Sequence, residues 1–169
     1  MAEECIHGML LGSCATCAAK IAEQPRDLEL GGWYKRQYVQ KEMDVGGEPQ
    51  IYLPSRDGVI TSGWFVLKMN PDAPGEVLPE RKGKIPDRAR QLVGDGNWIP
   101  VFLKEQRDHD HYQYVGFYRG KELLEERDHP KEVAERQRRV KDRTIMGILR
   151  LERRAGDELS TKKLNLLAY

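Results

Sequence analysis

Cys5, His7, Cys14 and Cys17 contain every thiol of the chain and one of its four histidines. Zinc takes four ligands in a tetrahedron, and three thiolates with one imidazole are a common closed set. The two-residue gap between Cys14 and Cys17 is that of a zinc knuckle, whose tight turn aims both sulfurs at one centre. Gly8 and Gly12 let the intervening loop bend back, and Cys5 and His7, two apart, face one side of an extended segment. The shell is then complete, with no position for a reactive water, so the expectation is one structural Zn2+. Incidental thiols or a Cys-x-x-Cys redox pair are the alternatives; the redox pair leaves Cys5 and His7 without a role.

The other histidines, His109, His111 and His129, lie in charged stretches. Asp108, His109, Asp110 and His111 bring two carboxylates and two imidazoles together, a set able to hold a divalent cation in a nuclease or base-processing hydrolase. Their place between two apolar runs reads instead as a polar hairpin turn. No phosphate loop, dinucleotide fingerprint, H-E-x-x-H or G-x-S-x-G occurs. The sequence therefore favours a binding protein, with enzyme chemistry at Asp108–His111 and a zinc-stabilised protein-interaction module as alternatives.

Groups of this kind need a frame. Charged residues make up 33 % and the hydrophobic class 39 % of the 169 residues, enough to bury a core without disulfides. A formal net charge of +1 argues against purely electrostatic nucleic-acid binding but allows a local basic face. No apolar run reaches the roughly eighteen residues of a membrane span, and none reads as a signal peptide. With an odd number of thiols gathered in one motif, the expected setting is the reducing cytoplasm.

The pattern predicts a short helix ending before Pro25, a mixed connector to residue 50, and a strand pair, or one strand bulged around Gly63, over 58–67. A proline-rich loop over 69–84 follows, then a helix from Ile85 that stops at Gly94. The apolar run 98–105 and the alternating aromatics of 112–120 predict a hairpin, followed by a helix in 129–143 and a last strand in 144–154. The expected fold is α+β, a curved sheet or barrel with flanking helices over 25–169, preceded by a zinc-knuckle segment over 1–24.

The hairpin carries a resemblance. A Pro-Val strand ending in a basic residue, a polar turn, and then Tyr112-x-Tyr114-x-Gly116-x-Tyr118-Arg119 resembles the hairpin of the SRA domain, a modified-cytosine reader among PUA-like barrels. The match covers Ile99 to Arg119 and, loosely, the loop after Ser62-Gly63. It implies a barrel that accepts a base flipped out of duplex DNA, stacked between aromatic walls and read along its Watson–Crick edge. Trp33, Tyr34, Trp64, Trp98, Tyr112 and Tyr114 are the candidate walls, with core packing as the alternative and the favoured reading for Tyr114 and Phe117, and Asn70 and Asp72 are the candidate readers of the base. The loop "KMNPDAPGEV" departs from the glycine-rich, acidic loop usual in that family, so base identity does not carry over. Phosphate contacts fall to Lys35 and Arg36, and to Arg81, Lys82, Lys84, Arg88 and Arg90. On this reading the chain recognises DNA without cleaving it, and a restriction or defence role needs a partner such as an effector nuclease.

Overall fold

The structure, a computed structural model, describes residues 28–42 and 51–155. In chain order the elements are β1 (Trp33–Lys35), α1 (Arg36–Glu42), β2 (Ser55–Arg56), β3 (Val59–Ile60), β4 (Gly63–Val66) and β5 (Glu76–Val77). They continue with α2 (Ile85–Asp95), β6 (Ile99–Lys104), β7 (His111–Glu125), α3 (Pro130–Arg139) and β8 (Gly147–Arg153). The expected segment 1–24, with its zinc ligands, lies outside the described residues.

The β6–β7 hairpin is the hub. All six residues of β6 are buried, as a near-continuous apolar run requires when both sheet faces are covered. Val101 pairs with Gly116 and Phe102 with Tyr114, so Val115 is an extra residue and the strand bulges. Gly116 adopts a φ of 109° there, a conformation side chains resist. β7 is long enough to serve two neighbours on its other edge, β1 near its start and β8 along its second half.

β4 runs parallel to β6, and β5 antiparallel to β8, giving the order β4-β6-β7-β8-β5. The architecture is thus α+β with a mixed sheet, and among the described residues no pairing joins β4 to β5. β2 and β3 form a separate ladder across Asp57 and Gly58, whose positive φ values of 50° and 77° are those of a two-residue hairpin turn.

The two-residue period of the strands sorts the core. One face sets Phe65, Ile99, Val101, Leu103, Val115, Tyr118, Leu149 and Leu151 against Ala89 and Leu92 of α2. α2 lies so close that a Cβ on Gly120 would come within 2.8 Å of the Val93 nitrogen. The other face is aromatic: Trp64, Phe102, Tyr112 and Tyr114, closed by Val39 of α1 and Tyr34 of β1. A third cluster seats Val133 of α3 and Val140 on Leu124, Ile145 and Ile148.

Several details differ from the sequence reading: the expected loop 69–84 contains β5, and the strands of 58–67 pair with β2 and β6 rather than with each other, because each finds its partner elsewhere in the fold. The connector 25–50 contains β1 and α1, a strand too short and a helix too polar to register as periodic; tertiary pairing with β7 forms the strand. α2 passes through Gly94 and stops at Gly96, whose φ of 63° and N–H to the Leu92 carbonyl make the terminating turn. Among the described residues no helix is long and apolar enough to cross a membrane.

Candidate nucleic-acid interface

Four of the expected aromatic walls do meet, but as packed core. Trp64 stacks on Phe102 with centroids 4.0 Å apart and planes 6° apart, and Tyr112 meets it edge-on. Arg36 lies 5.2 Å from the Trp64 ring centre, and the indole N–H donates to Ser62 Oγ at 2.8 Å. Tyr114 is buried in the same cluster, and the Tyr34 hydroxyl accepts the Glu29 N–H. Trp33 and Trp98 are exposed and separated. Trp33 sits opposite Gln113, on the face away from the aromatics, while Trp98 adjoins Ile99 near the far end of the hairpin under Arg119.

The proposed base readers are engaged elsewhere. Asn70 Oδ1 accepts the Leu78 N–H at 2.9 Å and also faces Arg143, while its Nδ2 donates to the Val66 carbonyl. Asp72 is ion-paired with Arg139 at 2.6 Å. The basic run from Arg81 to Arg90 is largely neutralised. Arg81 pairs with Glu126, and Arg90 forks onto Glu125 and reaches Asp87. Arg88 is buried and donates to the Leu53 carbonyl at 2.7 Å. Lys82 and Lys84 stay exposed on the turn before α2.

A further set of charges lies around the β6–β7 turn. Lys104, the last residue of β6, is 8 % exposed, yet its ammonium has no carboxylate partner among the described residues. It donates to the carbonyls of Arg107 and His109 at 2.8 and 3.0 Å and lies 4.5 Å from the Tyr112 ring centre. The turn is thereby pinned from inside, and Asp108 and Asp110 project from it as exposed residues. Among the described residues no three His, Cys, Asp or Glu side chains converge as a metal site.

Three clefts follow one another here, two of them against this turn and one sharing a wall with the first. One of about 740 Å³ runs between Lys68-Met69, the turn at Gln106–Asp108, and Arg139–Asp142. A second, about 640 Å³, continues along Gln137 to Thr144. The third, about 390 Å³, lies between α1 and the turn and is lined by Lys35, Arg36, Gln37, Gln40, Lys104 and Tyr112, among others. Together they form a trough lined by nine lysines and arginines and only three carboxylates, Asp108, Asp110 and Asp142.

Some of these cations are structural. Arg143 donates to the Leu78 carbonyl and to Met69 and Asn70, holding the proline-rich loop, and burial lowers its pKa. Arg139 is raised by its hydrogen bond to Asp72. Burial lowers Arg36, against a raising contribution from the Tyr112 hydroxyl, and its guanidinium donates to the Ile51 carbonyl. Lys35, Lys68, Arg107, Arg138 and Lys141 have no carboxylate within ion-pair distance among the described residues. Of these only Lys35 was expected from the sequence. The run "RRVKDR" held the missing signal, masked by the acids interleaved along α3. No protein-family model matches the chain, and no curated protein and no solved structure matches it.

Proposed function

We propose that this chain binds nucleic acid, namely duplex DNA carrying a modified or flipped-out base, and does not cut it. The trough carries the reading: nine cations against three carboxylates, five of the nine both exposed and without a carboxylate partner among the described residues, suit a run of phosphates. The base-recognition part is supported by the resemblance of the bulged, aromatic β6–β7 hairpin to the SRA domain, and with it a PUA-like assignment for the curved sheet. Since Trp64, Tyr112 and Tyr114 are packed together, an extruded base would meet the rim of the aromatic face rather than a slot among those rings. A structural Zn2+ on Cys5, His7, Cys14 and Cys17 belongs to the same proposal, supported by the chemistry of that donor set. Cleavage, where it occurs, falls to a partner nuclease.

The test is a panel of unmodified, methylated, hydroxymethylated and glucosylated duplexes at moderate salt, with magnesium present. Binding above the nonspecific level, unequal across the panel and without strand cleavage, is expected. Equal, nonspecific affinity for all four sinks base recognition, and metal-dependent cleavage lost on changing His109 and His111 together restores the enzyme reading.

A further inference from the structure

The smallest of the three clefts contains two donors of unusual standing. Gln40 Nε2 is buried and has no hydrogen-bond partner among the described residues. Lys104 spends two of its three N–H donors on turn carbonyls, and the third has no acceptor among the described residues. The two groups come from different elements, α1 and the end of β6, and line one space of about 390 Å³. A buried N–H without an acceptor calls for an explanation, because desolvating it is costly. Lys35, Arg36 and Arg107 add positive charge to the same walls, against Asp108 and Asp110 at the exposed turn.

We propose that this cleft is a phosphate seat, in which Gln40 and Lys104 donate to one phosphate oxyanion while Arg36 and Lys35 balance its charge. The oxyanion comes from a nucleic-acid strand or from free phosphate. The strand version rests on the DNA-binding reading above, and the geometry favours it, since Arg107 and Asp108 also line the cleft of about 740 Å³. A strand seated by one phosphate would therefore continue toward Lys68 and Lys141. Gln40 is the specific element: it adds a donor without adding charge, so its removal separates directed hydrogen bonding from general attraction.

The experiment uses the full-length chain and three probes: inorganic phosphate, a duplex with a 5′-phosphate, and the same duplex without it. Each is titrated against the unaltered protein, Gln40→Glu and Gln40→Leu, with melting curves alongside. Gln40→Glu should weaken phosphate and DNA about tenfold or more, because a charge-assisted donor becomes a repelling acceptor. Gln40→Leu should weaken both less, while melting no lower than the parent, since it removes an unsatisfied buried donor. A preference for the 5′-phosphorylated duplex supports a terminal phosphate in the seat, and equal affinity for both duplexes supports an internal one. DNA binding unmoved by either variant, with both folded, overturns the seat and leaves the DNA reading standing. Phosphate binding lost in Gln40→Glu, with no DNA binding by the parent, keeps the seat for free phosphate and overturns the DNA reading.

Discussion

Replacing Lys68 and Lys141 together by alanine measures whether the trough meets phosphates. Both are exposed, and neither has a carboxylate partner among the described residues, so their loss should change stability by no more than about 0.5 kcal/mol. Each phosphate neutralised contributes a slope of about −0.9 to log K against log salt. The five exposed cations without carboxylate partners then give about −4.5 for the unaltered chain, and the double variant about −2.7. Between 50 and 200 mM salt this is an affinity loss of about 500-fold for the parent and about 40-fold for the variant. Fluorescence anisotropy of a labelled duplex across that range reads both slopes directly. An unchanged slope in the folded variant, or a parent slope near zero, would refute the assignment of the trough as a phosphate track.

Asn70→Ala leaves the Leu78 N–H without its side-chain acceptor and should cost about 2 kcal/mol, a fall of about 4–8 °C in Tm by calorimetry. An unchanged Tm would return Asn70 to consideration as a reader of bases. Gly120→Ala forces a methyl against the backbone of α2 and should destabilise by about 2 kcal/mol in urea unfolding; a neutral result would mean that α2 gives way freely. The native mass should exceed the sequence mass by one zinc, and Cys14→Ser should lose it; a metal-free, folded parent excludes the zinc site.

The hairpin and α2 were legible because their signals are local: a continuous apolar run, alternating aromatics, and Pro86 with a glycine stop. The aromatic face was legible in composition but not in outcome. Trp64 meets Phe102 only because β4 lies parallel to β6, a pairing between strands separated by the proline-rich loop and α2. Charge was the least legible property. Whether an arginine is available depends on its carboxylate, and Arg90 finds Glu125 and Arg139 finds Asp72 across distant parts of the chain. Arg81, Arg88 and Arg90 therefore looked like a phosphate track, whereas in the structure Arg81 and Arg90 pair with carboxylates and Arg88 is buried on the Leu53 carbonyl. Arg138 and Lys141 line the trough from a stretch whose acids, Glu132, Glu135 and Asp142, mask its charge in the sequence.

Lys104 grips the β6–β7 turn by the main-chain oxygens of residues 107 and 109. Those oxygens are present whatever side chains occupy the turn. Shape and vocabulary are thus kept by different parts of the same loop. Residues 106 to 110 can be rewritten, by evolution or by hand, to address another sequence or another partner while the platform that presents them keeps its form.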